Sequence, residues 1–176
     1  AMSRIIVVGT LWGDEGKGKI VDVLTENADV VVRAQGGNNA GHTILIGTNE
    51  FKLHLTPSGI LQTHTECIMA SGMVIDPEVL LNELRTLKKQ GIQFEKRLKI
   101  SEGAHVIFPY HKALDEVMEK SKGVRAIGTT KRGIGPCYAD KANRVGIRMG
   151  ELVRPEEFKS ILESVLHLKN KELQFI

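Results

Sequence analysis

The feature that most narrows the fold is the loop Gly13-Asp14-Glu15-Gly16-Lys17-Gly18-Lys19, set between the apolar run 5–10 (IIVVGT) and a segment with apolar residues at Ile20, Val21, Val23 and Leu24. A glycine, four residues and then Gly-Lys fall on Gly13, Gly18 and Lys19, the frame of a phosphate cradle. Glycines let successive backbone N–H groups point into one concavity, the following helix adds its positive N-terminal end, and a lysine supplies a mobile ammonium. Such a loop needs a strand before it and a helix after it. Residues 5–10 read as a strand buried on both faces, 20–27 as the helix, and the β-branched run 30–32 as the next strand. Together they predict the opening of a parallel α/β sheet.

Two departures from the usual frame bear on chemistry. Ile20 stands where a Ser or Thr hydroxyl would bind Mg²⁺. Asp14 and Glu15 sit inside a loop where acids repel phosphate, which makes sense if a metal bridges carboxylate and phosphate or if one acid is a catalytic base. Asp14, deepest in the turn, is the better candidate for either role.

Further along, 43–46 and 51–55 flank Gly47-Thr48-Asn49-Glu50 and predict a β-hairpin. Residues 67–70 and 98–101 read as short strands. Asp76-Pro77-Glu78 opens a helix that Gly91 stops, 110–120 predicts another, and Pro155-Glu156-Glu157 a last amphipathic one. The fold class expected is α/β: a mainly parallel sheet of P-loop-like nucleotide-binding topology, with a β-hairpin and peripheral helices, in one domain over 1–176.

Composition supports this. With 41% hydrophobic and 26% charged residues among 176, the chain can bury a sizeable core and is not disordered. Its formal net charge of +3 is carried partly by Lys17, Lys19, Lys131 and Arg132 inside glycine-rich segments. That pattern indicates local anion binding and no nucleic-acid face. No apolar stretch is long enough to span a bilayer, so no membrane role is expected. Cys67 and Cys137 read as two thiols of a cytoplasmic protein rather than a disulfide.

Two other segments are rich in ligand-capable groups. Gly37-Asn38-Asn39-Ala40-Gly41-His42-Thr43 follows a buried strand, at the end where parallel sheets bind ligands. Asn38 or Asn39 could read a base or ribose and His42 could donate a proton to a phosphoryl oxygen, or the asparagines could satisfy only their own turn. The second, residues 127–136 with Thr129, Thr130, Lys131 and Arg132, suits another phosphate, and Arg144 or Arg148 could reach an anion. The other histidines (54, 64, 105, 111 and 167) are given no role.

Trp12 to Lys19, then Gly37 to Thr43, then Gly133-Ile134-Gly135-Pro136-Cys137-Tyr138-Ala139-Asp140-Lys141 with Arg144, resemble adenylosuccinate synthetase in order and register. Leu11 departs from the family's usual glutamine and Lys131 from its usual glycine. The resemblance implies that IMP and L-aspartate are joined to adenylosuccinate through 6-phosphoryl-IMP, with GTP as co-substrate and Mg²⁺ as cofactor, in AMP biosynthesis. By motif position, Asp14 is the implied base at N1 of IMP and His42 the implied acid in phosphoryl transfer. Asp14 and the Gly41 carbonyl are the implied Mg²⁺ ligands. The nucleotide contacts implied are Gly13, Asp14, Glu15, Gly16, Lys17, Gly18, Lys19, Asn39, Ala40, Gly41, His42, Thr43, Thr130 and Arg144, with Arg144 reaching the other subunit of a homodimer. Family members are much longer, so the chain resembles an N-terminal portion whose guanine- and aspartate-reading residues lie elsewhere. A P-loop kinase or ATPase and a non-catalytic binding module are the alternatives. Ile20, and the lack of an apolar run ending in a metal-binding aspartate, speak against the first.

Overall fold

The computed structural model describes residues 3–10, 17–39, 41–121 and 128–175. Its elements run α1 (Lys17–Thr25), β1 (Val30–Gly36), β2 (His42–Ile46), β3 (Asn49–Leu53), a 3₁₀ turn (Ser58–Leu61), β4 (Glu66–Ile75), α2 (Pro77–Lys89), β5 (Leu98–Ile100), β6 (His105–Val106), α3 (Pro109–Ser121), α4 (Ile134–Asn143), α5 (Met149–Leu152) and α6 (Pro155–Gln174).

β4 is the organiser. It pairs in parallel with β1, β5 and β6, while β2 and β3 form a separate antiparallel hairpin with His42 opposite Leu53. The expected α/β class, parallel sheet, hairpin and peripheral helices are therefore present. Met69, Met73 and Ile75 of β4 pack with Leu55, Leu80 and Ala104, and Cys67 with Phe51, Leu53, Ile60 and Leu87. Val74, pointing to the opposite side from its neighbours Met73 and Ile75, meets Ile107 and Cys137, with Ile134 and Tyr138 against them. A further cluster of Tyr110, Ile147 and Val165 seats α6.

Where β1 and β4 run out of register, Arg33 faces Met69 but Gln35 faces Gly72, so β4 carries one extra residue. Gly72 is required there, because a Cβ would sit 2.3 Å from the Ala34 carbonyl oxygen. α2 starts as its sequence predicts. Asp76 caps the amides of Glu78 and Val79, Pro77 occupies the first turn, and Gly91 follows the helix at a φ of +85°.

Three expectations need correction. Residues 5–10 form no strand, and Ile5, Ile6 and Val8 are 65%, 85% and 70% exposed. Apolar composition states what a segment can bury, but burial needs a paired edge and a covering layer. Among the described residues β1 has one unpaired edge and two half-exposed valines, Val30 and Val32, with nothing laid over them. The second glycine-rich segment is also shorter than expected, because α4 begins at Ile134 with Pro136 tolerated in its first turn. Finally, β4 extends to Ile75 rather than stopping at Ala70, since its Ser71-Gly72 irregularity bends the strand without ending it.

Cys67 and Cys137 are free and buried, as expected of thiols. Burial pushes their pKa values up to about 11 and about 12, so neither is poised as a nucleophile.

The segment that follows the hairpin is tied to α2 by a buried carboxylate. Glu83 of α2 accepts from the amides of His54 (2.9 Å), Leu55 (3.0 Å) and Thr56 (2.8 Å) and from the Thr56 hydroxyl (2.5 Å). Truncating it strands several buried donors. Glu83→Ala should lower stability by about 3 kcal/mol in urea titrations, whereas Lys52→Ala, which removes only the exposed Lys52–Glu50 pair, should change it by less than about 0.5 kcal/mol.

Candidate functional site

Among the described residues α1 begins at Lys17, so the Gly18–Lys19 part of the first glycine-rich segment lies in its first turn. Lys19 and Ile20 face solvent. Gly18 and Asp22, one helical turn apart, lie on the face that meets the first residue of β2. A Cβ on Gly18 would come within 3.2 Å of the His42 ring, and His42 Nε2 lies 3.5 Å from Asp22 Oδ1. Among the described residues neither of those two atoms has another partner, although both are buried. Gly18 and the histidine of the second segment, 24 residues apart, thus come together. Asp22 was not singled out; its i,i+4 spacing from Gly18 was the available signal.

The segment between β1 and β2 is held by buried polar groups. Arg33 donates to the carbonyls of His54 (2.7 Å) and Gly37 (2.8 Å). Burial pulls its pKa below the ordinary value, against Glu83 and Tyr138, which raise it. Gly41 must lack a side chain, because a Cβ would lie 2.4 Å from His54 Nδ1. Asn38 is buried and Asn39 and Thr43 are exposed. Tyr138 of α4 accepts from the Gly36 amide (2.8 Å) and donates to the Gly72 carbonyl (2.7 Å), and Arg132 donates to the Asn38 carbonyl. The two polar segments are therefore neighbours. Between them lies a cleft of about 330 Å³ lined by Asn38, His54, Asp76, Lys112, Lys131 and Arg132. Asp76 takes up the Lys112 charge at 2.7 Å, so the cleft keeps a positive balance suited to an anion.

The second segment hangs from α3. Asp115 accepts from the Gly133 amide (2.9 Å), and Glu119, one turn later, from the amides of Gly128 (2.5 Å) and Thr129 (3.2 Å). Thr130 is exposed beside them, and Lys131 adopts a φ of +53°. A non-glycine residue held in that region costs about 1 kcal/mol.

Arg144 closes α4 at a φ of +60°, exposed, with no hydrogen bond to the other predicted site residues among those described. The turn that carries it is anchored by three buried groups. Asp140 Oδ1 meets Lys169 Nζ at 2.5 Å and Oδ2 meets His111 Nε2 at 3.0 Å. His111 Nδ1 accepts from the Phe108 amide (2.9 Å), so the ring proton sits on Nε2 and donates to Asp140. Histidine 111, given no role from sequence, is a structural member of this triad.

Gly13, Asp14, Glu15, Gly16 and Ala40 lie outside the described residues. Among the described residues no group of three or more His, Cys, Asp or Glu side chains could hold a metal ion, and no helix is long and apolar enough to cross a membrane. The donor set expected for Mg²⁺, a carboxylate and the Gly41 carbonyl, is all oxygen, which suits a hard dication. Gly41 is exposed and kept free of a side chain by His54.

The start of α1 against a histidine–aspartate pair, and a cationic cleft at the end of a parallel sheet, belong to an α/β protein. A sequence model of adenylosuccinate synthetase matches residues 6–176, and the chain belongs to that family. Adenylosuccinate synthetase of Heliobacterium modesticaldum is 58% identical over 175 residues, covering 99% of this chain and 41% of the relative. That of Pelotomaculum thermopropionicum is 58% identical over 169 residues, 96% of this chain and 39% of the relative. The fully ligated adenylosuccinate synthetase structure from Plasmodium falciparum superposes with a TM-score of 0.86 at 41% identity, over 95% of this chain and 39% of that one. Cyanophage S-2L succinoaminodeoxyadenylate synthetase, bound to dGMP and dATP, gives 0.63 at 28% identity over 82% of this chain and 40% of that one. The chain thus spans about two fifths of the length of the curated relatives it matches.

Burial alone would raise the Asp140 pKa, but the hydrogen bonds from His111 and Lys169 hold it below the ordinary carboxylate value. Burial would lower that of Lys169, and the bonds to Asp140 and Glu172 hold it above the ordinary ammonium value. A depressed acid stabilises above its unfolded pKa, about 3.9, and loses that contribution as pH falls through the folded value. A raised base stabilises below its unfolded pKa, about 10.4, and loses it as pH rises through the folded value. Lys169→Met leaves a buried carboxylate short of its cation and should cost about 3 kcal/mol near neutral pH. Urea denaturation across pH should show that deficit flat between about pH 4 and 10 and shrinking outside that window.

Proposed function

We propose that the chain carries the phosphoryl-transfer half of a GTP-dependent ligase joining IMP and L-aspartate to adenylosuccinate, a cytoplasmic enzyme of AMP biosynthesis that works as a homodimer. The observation that carries the reading is the approach of Gly18, Asp22 and His42, which sets an acid–base pair against the helix N-terminus expected to hold phosphate. Phosphoryl transfer asks little covalent help from a protein and mainly needs positioning and charge neutralisation.

In this reading Asp14 takes the proton from N1 of IMP, which makes O6 the nucleophile. O6 bonds to the γ-phosphorus of GTP as the bond to the β–γ bridging oxygen breaks, releasing GDP and 6-phosphoryl-IMP. His42, oriented by Asp22, assists as acid at the transferring phosphoryl group. The amine of aspartate then bonds to C6, phosphate leaves with O6, and the amine gives up a proton. Lys17, Lys19 and the amides of α1 hold phosphate oxygens, Thr130 binds the IMP phosphate, and Asn39, Ala40, Gly41 and Thr43 line the nucleotide. Mg²⁺, held by Asp14 and the Gly41 carbonyl, would supply charge neutralisation for the transferred group. Arg144, exposed at the end of α4, reaches the IMP site of the other subunit.

In the complete polypeptide that contains these residues, His42→Asn should reduce kcat for adenylosuccinate formation by roughly 10²- to 10⁴-fold. Asp22→Asn, acting only through the ring it orients, should cost on the order of tenfold. Unchanged turnover in the His42 variant at saturating GTP and IMP would remove the histidine from the mechanism. The 176-residue chain by itself is expected to give no turnover, and adenylosuccinate formation by the purified chain would refute that.

A further inference from the structure

Arg144 stands in a backbone conformation that helix ends usually reserve for glycine, with a φ of +60° and a ψ of 33°. An arginine kept there holds its side chain outward against a conformational penalty, so something must hold the turn closed. The Asp140 carbonyl does so. It receives the amides of Arg144, Val145 (3.0 Å) and Gly146 (3.2 Å), so the chain wraps around one residue as α4 ends. The Asp140 side chain is in turn gripped from two other helices, by His111 of α3 and Lys169 of α6, and all three residues are at least nine-tenths buried. Glu172, one turn beyond Lys169 on α6, takes a second proton of its ammonium at 2.8 Å.

A buried ion pair is weak evidence for stability, because a well-packed apolar pair of similar volume often does as well or better. What the charged pair adds is direction. An apolar contact would let α4 slide or rotate by a fraction of a turn, whereas Asp140 is fixed at both carboxylate oxygens. The backbone atoms that carry Arg144 begin at the carbonyl of that same residue. We infer that Lys169, with His111, is a positioning residue for Arg144: the Lys169–Asp140–His111 triad sets the last turn of α4 and so aims the guanidinium at its anionic ligand. This rests on the reading of Arg144 as an IMP contact. Lys169 lies 25 positions beyond Arg144 and has no part in any motif of the sequence.

The test is steady-state kinetics on the complete polypeptide containing these residues, with four variants measured well below their melting temperatures. Arg144→Ala checks the underlying reading. Lys169→Met removes the grip, Lys169→Arg is the conservative replacement, and Lys169→Met with Asp140→Asn removes the stranded carboxylate should the single variant fold poorly. Loss of a charge-assisted contact predicts that Arg144→Ala raises the KM for IMP at least tenfold (~). Lys169→Met and the double variant should raise it by about tenfold with kcat within about twofold, and Lys169→Arg should recover most of it. Simple loss of stability would lower the active fraction, and hence apparent kcat, while leaving KM unchanged. If Arg144→Ala raises KM but neither Lys169→Met nor the double variant does, the positioning role is overturned and the reading of Arg144 stands. If Arg144→Ala itself leaves KM unchanged, the reading of Arg144 falls and the positioning role falls with it.

Discussion

The hydroxyl of Tyr138 sits where the parallel ladder of β1 and β4 comes to an end. There the extra residue of β4 shifts the register, so that Gln35 comes opposite Gly72 and Gly36, the last residue of β1, opposite Met73. Tyr138 accepts from the Gly36 amide and donates to the Gly72 carbonyl, so a single oxygen bridges the two strands just past the shift. The same oxygen fixes α4 against the strand end from which Gly37 to His42 departs. Because α4 grows out of the second polar segment, this contact determines that the two segments share one cleft. Arg132 on the Asn38 carbonyl and Lys141 on the Ser71 carbonyl (2.6 Å) repeat the tie on either side.

Much of this was legible in the sequence, for definable reasons. The cap Asp76-Pro77-Glu78 and the amphipathic stretch after Pro155 are local signals, and both helices formed where their residues placed them. The expected hairpin formed with Asn49 and Glu50 paired in β3 rather than in its turn, and with β3 ending at Leu53 rather than Leu55. The approach of His42 to the start of α1 has a topological reason, because a helix N-terminus and the carboxyl end of a parallel strand share one side of such a sheet. The triad was not. Asp140 lies inside a recognisable motif, but His111 and Lys169 are 29 positions to either side, and no periodicity marks a histidine or a lysine that will be buried by tertiary packing. The strand expected at 5–10 failed for the opposite reason. Its composition is right for a central strand, yet a strand is a property of its neighbours as much as of itself, and no strand among those described pairs with it.

The structure uses hydrophobic packing and buried charge for different tasks. The clusters around β4 supply the bulk of the burial, and that force has no direction. Loops that must present amides or a guanidinium at defined points need directional contacts. Arg33 draws the Gly37 and His54 carbonyls together, Glu83 gathers the amides of 54–56, Asp115 and Glu119 gather those of 128–133, and Asp140 is gripped at both oxygens. In all but the last a charged side chain on a regular element binds the backbone of an irregular one, and in the last it binds a side chain in the final turns of α4. A backbone group bound this way specifies position while leaving the loop's own side chains free.

That division also accounts for the glycines and the positive φ angles. Gly41 and Gly18 are places of close approach, where a Cβ would come within 2.4 Å of His54 at Gly41 and 3.2 Å of His42 at Gly18. Lys131 and Arg144 are the reverse case, residues kept in conformations that favour glycine, each on a segment anchored by acids below it. At Lys131 the neighbouring amides of Thr129 and Gly133 are tied to Glu119 and Asp115. At Arg144 the following amides are tied to the carbonyl of Asp140. At Lys131 the backbone penalty is borne by buried carboxylates of α3 and at Arg144 by the backbone carbonyl of Asp140, and a long basic side chain is what each penalty holds in the solvent. A site assembled this way presents cations from a frame whose own charges are already satisfied, so an arriving anion need not compete with them.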